Sequence, residues 1–331
     1  MKDGANQDQR PASFAGSLEA VIIGGHSYTK HPQHWYHDGS FGFLVEDTAF
    51  LLHGSVLSGK SAVMADLLSL PQPSMSLNAS NDGILGDMVL NGVPFVALHD
   101  RALDFSNVLD FIYPKTLPLA RTNHLDADEL MGIVRFAGKY LIDDLKDWAV
   151  MELSDNHLIL PQDHSSKYYL DRHYSNPNFC VGVIEFAREC SLPGFLPFAF
   201  YALATQDWNR RQAEDILCLD QLSVDDRHRI QCGRIALTRA VVEKGCQRPE
   251  YGIARDHCEA EGCQRGQDIS LWTNPSGVWN ELLLHPIEEL EMRIGYQNGG
   301  FCDDCIDEMQ NEAQVIRDDL VSRLFEFFKL E

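Results

Sequence analysis

The sequence predicts an α+β fold, a small mixed sheet flanked by helices, followed by a mostly α-helical C-terminal region. Three observations predict it. Phe41, Phe43 and Val45 alternate, and Phe50-Leu51-Leu52 follows after Glu46-Asp47-Thr48, the pattern of two strands joined by a short turn. Asn91-Gly92 separates the apolar runs Met88-Val89-Leu90 and Val93 to Leu98, and Asn-Gly supplies the positive φ values of a type I′ hairpin turn. From Ala102 onward apolar residues recur at spacings of three and four, and no later segment alternates like a strand.

Taken in order, residues 1–33 are expected to form a disordered or extended N-terminal segment, polar up to Ser17 and carrying one short apolar run, Val21-Ile22-Ile23. Residues 26–37 hold His26, Tyr28, His31, His34, Trp35, Tyr36 and His37. They read as a surface segment whose aromatics pack on the following domain, because the acidic ligands and regular spacing of a metal site are missing. After the two strands, Val56, Leu57, Val63, Met64, Leu67 and Leu68 predict one helix from Ser55, stopped by Pro71-Gln72-Pro73. Residues 72–86 are a Ser/Asn/Gly-rich loop leading to the hairpin. A helix over 103–113 ends at Pro114, and another over 126–152 carries Asp126, Asp128 and Glu129 at its positive N-terminal end.

The expected organisation is therefore a domain over 34–152, a polar linker over 153–177, and a helical region over 178–250 built from segments near 178–190, 193–205, 212–219 and 223–245. Residues 251–331 form a Cys-containing module ending in an acidic helix near 303–329. No repeat of fixed period occurs.

Charge narrows the function classes. The chain of 331 residues carries 27 Lys and Arg against 49 Asp and Glu, a net charge of −22. Up to Val150 there are 10 basic and 18 acidic residues, so both halves are acidic. Such a surface repels phosphate backbones and anionic lipid, so neither nucleic acid nor a membrane surface is an expected partner. No apolar run reaches the 18 residues of a membrane span, and the polar N-terminus does not read as a signal peptide. The nine cysteines are odd in number and all follow residue 179, which points to a reducing intracellular setting, cytoplasm or nucleus.

One motif demands weighing. Gly54-Ser55-Val56-Leu57-Ser58-Gly59-Lys60-Ser61 fits the phosphate-loop pattern G-x-x-x-x-G-K-[ST], after a strand and before a helix. There, backbone N–H groups and Lys60 would hold phosphates and Ser61 would reach Mg²⁺. Against it, Val56 and Leu57 fit the apolar stripe of a helix starting near Gly54. The next strands form a hairpin instead of a parallel β-α unit, and no apolar strand ending in Asp follows. Nucleotide binding through Gly54, Gly59, Lys60 and Ser61 is thus the disfavoured reading.

The order strand, strand, helix, hairpin, helix, helix resembles the BTB/POZ domain, in the form abundant in mushroom-forming fungi. The residues that carry the resemblance are Asp38-Gly39-Ser40, Val45-Glu46-Asp47-Thr48-Ala49-Phe50, His53 with Val56-Leu57, and Ser61 followed by Leu68 to Pro73. It continues through Val96-Ala97-Leu98-His99-Asp100, Asp104-Phe105, Leu109 to Pro114, Ala137-Gly138-Lys139-Tyr140, Leu145 and Trp148-Ala149. More weakly, the likeness extends to the helical region, through Ile184 to Glu189, Leu192-Pro193 and Ala199-Phe200-Tyr201. The resemblance implies a non-enzymatic protein-interaction module that dimerises or serves as scaffold or adaptor. Asp38 and His53 look like the family's polar pair near the domain interface, with a turn Asp and a satisfied, partly buried His as the structural alternative. Ser61 occupies the family's position, which makes Gly59 and Lys60 incidental. Some members recruit a cullin ubiquitin-ligase scaffold through a hydrophobic-x-Glu segment. The corresponding stretch here, Ser74 to Gly86, has no Glu and departs from that pattern.

Thiols supply the remaining chemistry. Cys258-x₄-Cys263 and Cys302-x₂-Cys305 are two close pairs able to meet one tetrahedral Zn²⁺, and the alternative is four reduced thiols. Cys180, Cys190, Cys218, Cys232 and Cys246 fall in helical segments and are expected as buried small apolar residues. Asp143-Asp144, Asp225-Asp226 and Asp303-Asp304 read as solvated helix faces or helix N-termini. No catalytic residue is assigned.

Overall fold

The computed structural model describes residues 19–70, 88–114, 125–158, 176–208, 211–246, 285–294 and 302–330. The fold mixes α and β, and the chain divides into two compact units, Met1–Ala149 and Val150–Glu331.

The first unit is built on a six-stranded mixed sheet. Its strands are β1 (Ala20–Ile23), β2 (His26–Trp35), β3 (Phe41–Val45), β4 (Thr48–Leu52), β5 (Val89–Leu90) and β6 (Val93–Leu98), in the order β1-β2-β4-β3-β6-β5. Pairs β1/β2, β3/β4 and β5/β6 are antiparallel, while β2/β4 and β3/β6 are parallel. Each hairpin uses residues that tolerate positive φ: Gly24 and Gly25 at 57° and 82°, Glu46 at 51°, and Asn91 and Gly92 at 50° and 83°.

Strand β3 lies in the interior of the sheet and is buried at every position, which explains a run of apolar residues where one-sided strands would alternate with polar ones. Gly42 is required there, because a Cβ would fall 2.2 Å from the Phe95 ring on β6. One buried cluster gathers Val21, Ile23, Leu44, Ala49, Leu51 and Phe95, with Trp35 and Tyr28 against it. A second series of rings runs from the sheet into the helices: Phe43 and Phe50 each meet Phe105, Phe105 stacks on Phe136 at 5.0 Å, and Phe136 meets Tyr140.

Helices α1 (Gly54–Ser58) and α2 (Ala62–Ser69) follow β4. They replace the single helix expected from Ser55, because Ser61 takes an extended conformation and caps α2 through Met64 N–H. Helix α3 (Ala102–Ile112) packs on α4 (Ala127–Lys139). The approach is close enough that a Cβ on Gly132 would fall 2.3 Å from the Asp104 carboxylate. Asp126 and Glu129 form a capping box on α4. The helix expected over 126–152 is likewise two helices, since Leu141 adopts φ 53° between α4 and α5 (Asp143–Leu153).

Two expected boundaries shift. The extended N-terminal segment does not stop outside the domain at residue 33: β1 and β2 are paired into the same sheet, and the boundary at residue 34 falls inside β2. The expected linker over 153–177 begins with one π-helical turn, Ser154–Leu158, and residues 159–175 lie outside the described residues.

The described part of the second unit is helical. Beyond α5 its helices are α6 (Pro177–Glu189), α7 (Leu196–Thr205), α8 (Ala213–Leu217), α9 (Val224–Cys246), α10 (Pro286–Ile294), α11 (Asp303–Ser322) and α12 (Leu324–Phe328). Gly233 on α9 receives the Phe328 ring, and buried Tyr201 donates to Glu288 while accepting from Ile287 N–H. The final helix expected over 303–329 breaks at Arg323. No helix among the described residues is long and apolar enough to cross a membrane.

Candidate interaction site

Among the described residues strand β1 ends the sheet, with β2 as its only strand neighbour. Lys30 N–H donates to the Glu19 carbonyl at 2.9 Å, so the pair Glu19/Lys30 faces inward in the ladder. In an antiparallel pair the hydrogen-bonded positions alternate. With Ala20 opposite Thr29 and Ile22 opposite Ser27, the N–H and C=O groups of Ala20 and Ile22 point away from β2, toward the free edge. Val21 and Ile23 are buried, whereas Ile22 is 71% exposed. The edge thus offers backbone donors and acceptors beside an uncovered apolar side chain, the arrangement proteins ordinarily blunt or use.

Beside the sheet, β2 and α3 enclose an aromatic and histidine cluster. His31 Nδ1 accepts from the backbone N–H groups of Gln33 and His34, which leaves Nε2 as the donor toward Ser106 Oγ at 3.1 Å. His31 lies stacked between His34 and Phe50. His34 is fully buried, with Nε2 3.0 Å from Asp110 Oδ1 and Nδ1 without a hydrogen-bond partner among the described residues. Burial, reinforced by Asp110, pushes the Tyr36 phenol above its ordinary range. Burial does the same to Tyr113, partly offset by the His53 N–H that donates to its oxygen.

The predicted pair Asp38 and His53 does come together. His53 Nε2 lies 3.1 Å from Asp38 Oδ1 at the rim of this cluster. His53 packs against Tyr36 and Tyr113, while the Asp38 side chain is 85% exposed. The hydrogen bond from His53, then one from the Asp38 backbone, holds that carboxyl below the usual carboxylate range. The result is a fixed anion at the surface, oriented by a ring that is itself packed. The sequence named His34 only within a His-rich surface segment and Tyr113 only within the Leu109 to Pro114 match, and Asp110 had no role of its own. The signal available was the pairing of a His-rich strand with a helix ending in Tyr-Pro, which only acquires meaning once the two elements are adjacent.

Val45 and Phe50 are core residues of β3 and β4, and Leu57 is the buried position of α1, with Val56 half-buried. The Gly54–Ser61 segment is a helical turn that uses its own amides. Val56 and Leu57 N–H donate to the His53 carbonyl, Gly59 to Ser55, and Lys60 and Ser61 to Leu57, while Gly54 N–H donates to Ser40 Oγ. Ser61 is 3% exposed, and its hydroxyl donates to the Tyr140 carbonyl while accepting from Met64 N–H. Lys60 is exposed. A phosphate cradle needs those amides unspent and that hydroxyl open, so the geometry disfavours nucleotide binding here.

Of the proposed zinc ligands, Cys258 and Cys263 lie outside the described residues, as does the side chain of Cys305; Cys302 is the N-cap residue of α11. The stretch Ser74–Gly86 compared with cullin-recruiting members is also outside them. Cys180 and Cys218 are buried as expected, but Cys190 and Cys232 are only half-buried. Asp226 departs from the solvated reading: it is 2% exposed, held by both Nη atoms of Arg188, by Ser223 and by Arg229. A scan against protein-family models and a search of curated proteins both find no match to this chain.

Proposed function

We propose that the first unit is a BTB/POZ-type interaction module and that the chain acts by binding proteins, first of all a second copy of itself, and not by catalysis. The observation that carries this reading is the edge strand β1, where Ala20 and Ile22 turn their backbone groups away from β2 with no further strand beside them among the described residues, and Ile22 is 71% exposed. The order two strands, helices, hairpin and helices along Phe41–Leu153 supports the family reading. The Asp38–His53 pair supports it too, as a fixed polar mark at the surface of the same unit. Cys180 supports an intracellular protein, in cytoplasm or nucleus. Burial and the neighbouring Cys218 push its thiol up to about 12, which keeps it protonated and unreactive, as suits a buried cysteine of a reducing compartment.

Light scattering on the full chain tests the reading. A dimer has twice the 37.3 kDa of the chain. Ile22→Pro removes an outward N–H without touching a β1/β2 bond, so it is expected to give a folded monomer that still melts cooperatively, lower than wild type only by the stability the lost association supplied. A wild-type chain that stays at 37.3 kDa at every concentration overturns the self-association.

A further inference from the structure

The geometry points to a binding pocket for a small organic anion in the second unit, a carboxylate or phosphate carried on an apolar body. The pocket has a volume of about 400 Å³ and is lined by Ala187, Arg188, Pro193, Leu196, Arg229 and Lys329, among others. That places it toward the small end of the roughly 300–1,000 Å³ of ligand sites, fitting a metabolite-sized acid.

Its charge runs against its surroundings. The chain carries −22 overall, yet three cations converge here. One carboxylate, Asp226, answers them: it takes both Nη atoms of Arg188 and, at 3.1 Å, Nη1 of Arg229. Arg229 Nε donates to the Lys329 carbonyl at 3.2 Å, which fixes the guanidinium plane. Arg229 Nη2 and Lys329 Nζ are left without a polar partner among the described residues. Among the described residues, three cations against one anion leave a net charge of two positives at the pocket wall.

The frame is rigid where it counts. Asp226 is buried, so the two arginines are anchored from behind and lose little freedom when they bind. Lys329 adopts φ 51° after α12, and this turn sets the residue beside buried Leu330, another lining residue. The same lining includes Ala187, Pro193, Leu196 and Leu330, which supply apolar surface. An anionic group would face Arg229 Nη2 and Lys329 Nζ while its hydrocarbon part covers Leu196 and Pro193.

The test is a titration of the full chain with benzoate, phenyl phosphate, inorganic phosphate and neutral benzamide, followed by amide NMR shifts at Ala187, Leu196 and Leu330. Benzoate or phenyl phosphate is expected to shift these amides and benzamide is not; the tighter of the two anions identifies the headgroup. Lys329→Gln, a surface change, is expected to weaken binding several-fold, and Arg229→Gln with Lys329→Gln about tenfold or more, the scale of 1.4 kcal/mol. Melting curves confirm that each variant is folded. Saturating anion that leaves the amides unmoved overturns the proposal. So does benzamide binding as well as benzoate, inorganic phosphate binding as tightly as phenyl phosphate, or a folded Lys329→Gln chain with unchanged affinity.

Discussion

Asp38 and His53 are fifteen positions apart and meet because the β3/β4 hairpin returns the chain to its starting point, with Ser40 N–H bonded to the Leu52 carbonyl. Since the His53 hydrogen bond is the main cause of the lowered Asp38 pKa, His53→Ala is expected to move that pKa up toward the ordinary carboxylate value, read by carboxyl-carbon NMR titration. A carboxyl depressed in the folded state contributes stability above its unfolded pKa and loses it as pH falls through the folded one, so the variant should also lack that acid-side loss. An unmoved titration would show that the pair is incidental. Glycine gives a second test at this scale. Gly42→Ala drives a methyl into the Phe95 ring, and a loss of about 1–3 kcal/mol is expected in denaturant melts. The pair was legible from sequence only as a resemblance. Gly42 was not legible at all, because nothing local distinguishes a strand glycine facing a ring from one facing water.

At the scale of elements, two buried aspartates on helix N-terminal turns have opposite pH behaviour. Asp104 on α3 faces Gly132 of α4, and burial raises its pKa despite Arg101 and Arg135. A carboxyl raised in this way supports the fold below its unfolded pKa and loses that support as pH rises through the folded one. Asp104→Asn keeps the shape, so it is expected to melt higher than wild type at neutral pH. For Asp226 on α9 burial is also the largest single cause and raises the pKa, yet the hydrogen bonds from Arg188, Ser223 and Arg229 and the charge of Arg188 together outweigh it and the pKa is lowered. Its contribution is present above the unfolded pKa and disappears as pH falls through the folded value. Asp226→Asn should therefore melt lower at neutral pH, by about 1.5–3 kcal/mol as for hydrogen bonds to charged groups, and converge with wild type in acid. From the sequence Asp226 read as part of a solvated helix face or N-terminus, and Asp104 entered only through the Asp104-Phe105 part of the resemblance. What separates them is the partner each meets in three dimensions.

The sequence reading was sound for elements set by local chemistry: the Asn91-Gly92 hairpin, the β3/β4 pair and the Pro-terminated α3. It failed where one residue interrupts a continuous apolar stripe. Leu141 at φ 53° divides α4 from α5, and Ser61 divides α1 from α2, although both lie inside good helical periodicity. It failed also at β2, whose His- and Tyr-rich sequence lacks alternation because one face packs on α3 and the strand shifts register between Lys30 and Trp35.

At the scale of the whole molecule, the described sheet of the N-terminal unit stops at β1, in a chain with a net charge of −22. Self-association at that edge makes a claim about particular amides. Ala20 and Ile22 N–H point away from β2 and have no strand partner among the described residues, while Val21 and Ile23 sit at the inward positions opposite Tyr28 and His26. Residue-resolved hydrogen exchange of the full chain across a concentration series separates the two pairs. The account predicts that Ala20 and Ile22 gain protection as concentration rises, in step with the dimer fraction. Exchange of both at the unprotected rate under conditions where the chain is dimeric would contradict it.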